Sequence, residues 1–234
     1  MNFLIKEYTK NEQASFKTFL VFSFFVLLVL IIAFYVFSEF WRVKIIEVEG
    51  STYINEYQFL EFYNSSILTI EDDSFRYIKD SDQTVDYIKH EKIFPNELNI
   101  TIAHHLQIAE ITDLRKSIPT KVVLYKNLFV QEALLENDVV SVTITNGPVD
   151  EGFNGELVTL VMTLLNFEIE ISEILLVHNG SSLMGSYRGI EINFLEPIDL
   201  STKGSAIGEL LEKTSCVTEV TFISINSFIT DCNI

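Results

Sequence analysis

Hydrophobic positions along this chain follow three periods. Between Thr18 and Ser38 (TFLVFSFFVLLVLIIAFYVFS) they are nearly continuous: 21 consecutive residues carry no charge, and sixteen of them are Phe, Leu, Ile or Val. As a helix rising 1.5 Å per residue, this run spans about 30 Å, the hydrocarbon thickness of a bilayer. At about 0.3–0.6 kcal/mol per apolar residue, its insertion is favourable by on the order of 5–10 kcal/mol. A cleaved signal peptide has a shorter apolar core followed by a small-x-small site, whereas this chain continues as EFWRVKII. The pattern predicts an uncleaved anchor, with Tyr35 and Trp41 near one end, where amphipathic rings favour the membrane interface.

Beyond the anchor a period of two takes over. Val43, Ile46 and Val48 alternate with Glu47 and Glu49, predicting a strand closed by Gly50. Asn55 reads as a helix N-cap, Gln58 completes a capping box, and Ile54 and Phe59 form a hydrophobic staple, giving a short helix to about Tyr63. A second short helix follows EDDS, with Phe75 and Ile78 three apart, and VDYIKHEKIF is then extended. Pro95 and Asn96 reverse the chain. The next stretch reads as one half-covered strand, with Leu98, Ile100, Ile102, His104, Leu106 and Ile108 on one face. Asn99, Thr101, Ala103, His105 and Gln107 take the other. Adjacent strand residues point to opposite sides, so His104 and His105 are rungs of a sheet and not a metal pair.

The remainder mixes both periods. KVVLYKNLFVQEA predicts a hairpin about Lys126-Asn127, with Asn127 in the left-handed conformation, and VSVTITNG a further strand. Leu157, Leu160, Val161, Leu164 and Leu165 recur at helical spacing behind Asn154 as a cap. EILLVHN, SLMGSYR and GIEINFLE are three strand-like runs, and Ser201 caps a last helix through GSAIGELLEKTS. VTEVTFISIN and SFITDCNI close the sequence as a tight hairpin around Asn226 and Ser227. The expected class is α+β: a single transmembrane helix, a β-α-α-β-β domain, and a mixed β-rich domain with two helices. The expected boundaries are a leader at 1–17, the span at 18–38, and domains at 42–112 and 113–234.

Charge narrows the partners. The chain carries a net −17, and residues 127–234 hold only 3 basic residues against 16 acidic ones. Such a surface repels nucleic-acid phosphate and anionic lipid, which excludes nucleic acid as a partner. Lys6, Lys10 and Lys17 of the leader outweigh Arg42 and Lys44 on the far side, so the positive-inside bias places the amino terminus in the cytoplasm and the rest outside it. With the last hairpin centred on Asn226 and Ser227, Cys232 faces Thr221. Cys216 then lies about 16 Å along the strand. That exceeds the ~7 Å reach of a disulfide, predicting two free thiols.

Motifs for catalysis are not found. HEKIF has no second histidine at the spacing of a zinc protease, and GPVDEG and STKGS are turns and not phosphate loops. Glu71–Asp73 lacks the spaced ligands of a calcium loop and reads as a solvated helix start. Asn64, Asn99 and Asn179 begin sequons that chance explains. No catalytic, cofactor-binding or metal-binding residue is assigned, and neither an enzyme activity nor a small-molecule substrate is expected.

The spacing V43-x-x-I46-x-V48-x-G50, together with F94-P95-N96-E97-L98-N99-I100-T101-I102, resembles the POTRA domain of the bacterial cell-division family FtsQ/DivIB. Relatives follow that second motif with Glu-x-x-Pro-Val-Ala, where this chain has His104-x-x-Gln107-Ile108-Ala109. The later strands and helices resemble the family's β domain in order and length. The resemblance implies a non-enzymatic divisome scaffold in the inner membrane at the septum, its bulk periplasmic. It also implies capture of FtsB- and FtsL-type membrane proteins by strand addition to the last strand. The site residues implied are Ser224, Ile225, Asn226, Phe228, Ile229, Thr230, Asp231 and Cys232, with Phe228 as the apolar anchor. Another anchored envelope or secretion assembly factor with a POTRA fold is the alternative.

Overall fold

Residues 2–50, 56–132, 134, 135 and 137–232 are described by the structure, a computed structural model. The chain divides into two compact units, Met1–His104 and His105–Ile234, each with its own hydrophobic core.

The first unit begins with helix α1, Asn2–Phe37. Its stretch Thr18–Tyr35 has a mean hydropathy of 2.8 and buries nothing inside the protein. This one N-terminal helix is long and apolar enough to cross a membrane, a property that signal sequences share. Ser38 then caps a single 3₁₀ turn, Glu39–Trp41, its Oγ accepting the Phe40 N–H at 3.2 Å. The Trp41 ring meets Tyr35 at 5.0 Å and Phe94 edge-on at 5.7 Å.

Three strands follow: β1 (Ile45–Glu49), β2 (Val85–Ile93) and β3 (Glu97–His104). They form a sheet in the order β1-β3-β2, with β1 parallel and β2 antiparallel to the central β3. Central β3 buries Leu98, Ile100 and Ile102 against Phe59, Phe62, Phe75 and Ile78. The first expected helix is a 3₁₀ segment, Glu56–Phe62, and its expected cap and staple residues, Asn55 and Ile54, lie outside the described residues. The second is a 3₁₀ turn, Asp72–Phe75, running into α2 (Arg76–Ser81); Glu71 caps it in a reciprocal capping box with Ser74. Gly50 ends β1 at φ +81°, its Cα so close to the strand beside it that a Cβ would sit 2.3 Å from the Ile102 carbonyl oxygen. A side chain there is excluded on both counts.

The long half-covered strand expected from Leu98 to Ile108 is two strands in two sheets. β3 stops at His104, and β4 (Gln107–Asp113) restarts the alternation in the other unit. The phase slips at the break, so Leu106 is exposed and Gln107, expected on the wet face, is 2% exposed. Its Nε2 donates to the Leu134 carbonyl at 3.0 Å, which is what makes its burial tolerable. The boundary between the two units falls between His104 and His105, ahead of β4.

The second unit adds β5 (Thr120–Tyr125), β6 (Val130–Gln131), β7 (Val140–Asn146), β8 (Ile174–Asn179), β9 (Leu183–Tyr187), β10 (Ile190–Asn193), β11 (Val217–Ser224) and β12 (Ser227–Cys232). With β4 they make one mixed sheet in the order β12-β11-β10-β9-β8-β7-β4-β5-β6. Helices α3 (Glu151–Asn166) and α4 (Leu200–Lys213) pack together and share the core of this unit. Facing them is the row Val220, Ile192, Gly185, Leu176, Val142 and Ile111, register partners across six strands and all buried except the half-buried Gly185.

Three local expectations are corrected. Helix α3 is capped by Asp150, whose carboxylate accepts the Phe153 N–H at 2.9 Å; Asn154 lies inside the helix and is buried. Helix α4 begins at Leu200 with Asp199, not Ser201, at the N-cap position, and the Leu200 N–H is satisfied by Glu156 of α3 at 2.8 Å. In the β5–β6 turn Leu128, not Asn127, is left-handed (φ +69°), and the Asn127 side chain accepts the Phe129 N–H at 3.2 Å.

Candidate partner-binding edge

β11 and β12 form an antiparallel hairpin turning through Ile225 and Asn226, with Ser224 opposite Ser227. On its inner side Phe228 meets Phe222 at 5.5 Å, and Phe222 stacks on Phe194 at 5.9 Å with ring planes 8° apart. Lys203 of α4, buried, lies 6.0 Å from the Phe222 ring and donates to the carbonyls of Phe194 and Glu196, both at 2.8 Å. Burial lowers its pKa, and those two carbonyls supply the hydrogen bonds that a buried ammonium requires. The hairpin is thus fixed to the core by its aromatic residues.

Phe228, the expected apolar anchor, is half-buried and packed on the core. The residues turned outward are Ile229 (59% exposed), Ile223 (60%) and, in the turn, Ile225 and Asn226. Ser224 and Asp231 are exposed, and Thr230 faces the core side opposite Val220. A groove beside the hairpin is lined by Ser205, Glu209 and Lys213 of α4 together with Ile225, Asn226 and Phe228.

The two cysteines form a disulfide, with their Cα atoms 5.0 Å apart. The expected free thiols are thereby corrected, and the reason is register. The turn is centred one residue earlier than Asn226–Ser227, and β11 carries two bulges, between Val217 and Glu219 and between Phe222 and Ser224. Each bulge adds one residue to β11 against its partner. Cys232 consequently faces Val217, next to Cys216, and not Thr221.

Among the described residues β12 pairs with β11 alone, so its other side is an edge of the sheet. Alternate residues of such a strand turn N–H and C=O groups outward with no strand to receive them. All eight residues expected from the sequence are gathered in this one hairpin. What the sequence did not disclose is the outer face beyond them, where Glu219, Glu191, Met184, Val177 and Leu175 are exposed on the neighbouring strands. Their strict alternation with buried residues in β8 is the signal that marks them.

Among the described residues no group of three or more His, Cys, Asp or Glu is placed to hold a metal ion. Compared with models of known protein families, the chain matches none, and comparison with curated proteins gives no significant match.

Proposed function

We propose that this chain is a non-enzymatic, membrane-anchored scaffold of the FtsQ/DivIB type, which recruits and links division proteins at the septum. The observation that carries the reading is the open edge of β12, on a hairpin held in place by a disulfide and an aromatic stack. An edge presented on a rigid support is suited to capture by strand addition: backbone hydrogen bonds give affinity, and side-chain contacts select the partner. The order strand, short helices, strand, strand in the first unit supports the POTRA-like reading of that unit. A disulfide is at home in an oxidising compartment, which supports a periplasmic body behind an inner-membrane anchor with a cytoplasmic amino terminus. The partners are membrane proteins of the FtsB and FtsL type, and no cofactor takes part.

The test uses Ile229→Asp, since this side chain is exposed and its replacement leaves the core intact. Co-purification of FtsB- and FtsL-type proteins from membranes should fall at least about tenfold, the consequence of placing an unpaired charge in an apolar contact. Unchanged capture would remove the edge from the mechanism. A fluorescent fusion of the full chain should concentrate at the septum of dividing cells. Uniform labelling of the envelope would point instead to an envelope or secretion assembly factor.

A further inference from the structure

The outer face of the large sheet carries its acidic residues in one row toward the open edge. Asp231 on β12 is the register partner of Glu219 on β11, and Glu219 is the partner of Glu191 on β10. Register partners share a face with Cβ atoms about 4.5–5.5 Å apart, a distance at which like charges destabilise a sheet. All three residues are exposed. Two residues along, the parallel row runs Ile229, Thr221, Asn193, Met184 and Val177. At the edge, one row thus ends in a carboxylate and the other in an exposed aliphatic side chain.

Among the described residues no ion pair joins this row. Of the three basic residues in 127–234, Arg188 is paired with Glu170 and Glu173 and Lys213 with Glu209, while Lys203 is buried on backbone carbonyls. Glu219 accepts a hydrogen bond from the Thr221 hydroxyl at 3.1 Å, which leaves its charge in place. On the β4–β5 side of the sheet, Lys121 is matched to Glu110.

We infer that the segment added to β12 is cationic: it carries Lys or Arg beside Asp231 and, two residues away on the same face, an aliphatic residue beside Ile229. This rests on the edge reading above and specifies its partner. A cation in that position continues the row Glu191, Glu219, Asp231 by one strand with opposite sign, so that its neighbours attract it where they repelled each other. A second copy of this chain would bring the same acidic edge against itself, and anionic lipid or nucleic acid meets the same repulsion.

Two fluorescent peptides of about ten residues, long enough for one strand, test the inference on the full chain in neutral detergent. Both have the same alternating Thr/Val sequence, one with Lys and one with Glu at alternate outward positions. The Lys peptide should bind about tenfold or more tighter at about 50 mM NaCl, with the ratio shrinking at about 500 mM as screening sets in. In the triple variant Glu191→Gln, Glu219→Gln, Asp231→Asn the two peptides should bind alike. Equal binding to the unaltered chain overturns the charge assignment and leaves the edge reading standing. A Lys preference that survives the triple variant overturns it too, because it then arises from the general negative charge. Methylating alternate backbone nitrogens of the Lys peptide separates the two ideas: strand addition loses the binding, whereas unchanged binding overturns the edge reading and keeps the carboxylate row as the contact. Failure of both peptides to bind overturns both. As a readout without any ligand, Glu219→Gln should raise the unfolding temperature at low salt; a lowered one contradicts the repulsion on which the inference stands.

Discussion

Asp113 and Arg115, two residues apart at the end of β4, show how a single pair ties sequence to conditions. The guanidinium donates twice to the carboxylate, at 2.8 and 2.7 Å, and also reaches the Gly147 carbonyl. The hydrogen bonds from Arg115 hold the Asp113 carboxyl down at about 2. An unfolded Asp protonates near pH 4. The pair therefore stabilises the fold fully above about pH 4, and that stabilisation fades as pH falls toward 2. Arg115→Met returns Asp113 to the ordinary carboxylate range, so acid unfolding followed by circular dichroism should begin at a higher pH than in the unaltered chain. At neutral pH, where the pair's contribution is fully present, the variant should be the less stable chain, by an amount that water screening of the exposed guanidinium keeps modest, and the two chains should converge as pH falls toward 2.

Among elements, the β11–β12 hairpin has most to lose from a change of redox state. Its disulfide joins residues 16 apart in sequence. Opening a loop of that size costs about 3 kcal/mol in the chain-entropy account. Reduction should accordingly lower resistance to urea by about 2–4 kcal/mol. It should also speed hydrogen exchange in β12 ahead of β8 and β9, which lie within the sheet. Uniform acceleration across the sheet would show that the bond guards the whole unit and not its edge. Much of this architecture is legible in the sequence, because the elements depend on periods. The apolar stripe of α3, the alternations of β8 and β3, and the final hairpin all follow from spacing. Register does not. A bulge leaves the hydrophobic alternation nearly intact while displacing every later partner, which is why the cysteine pair was hidden. The break at His105 and Leu106 was hidden for a similar reason: two alternating strands laid end to end read as one. Caps supplied from another element, such as Glu156 on the Leu200 N–H, leave no local signature. Of the candidate site, the hairpin that holds the eight expected residues was legible from spacing, whereas the carboxylate row exists only once three strands are aligned.

For the molecule as a whole, the proposed anchorage and the proposed capture fall to different parts, and this too can be tested. The apolar stretch Thr18–Tyr35 buries nothing inside the protein. Replacing it with an unrelated apolar span of equal length should keep the proposed membrane attachment and leave co-purification of the proposed division partners within about twofold, since lipid selects for apolar character over sequence. A large loss would assign partner contacts to the helix itself. The net −17 acts at the same scale, keeping the body away from anionic surfaces. The offset in the last hairpin, finally, makes chain length a structural variable. With both bulges straightened, Cys232 would drift to face Glu219, about 10 Å along the strand from its partner sulfur. A single-residue deletion in β11 that leaves both bulges in place shifts Cys216 by one position and to the other face of the strand, a chemical lesion as well as a geometric one, so that the spacing of this ribbon and its crosslink must be inherited together.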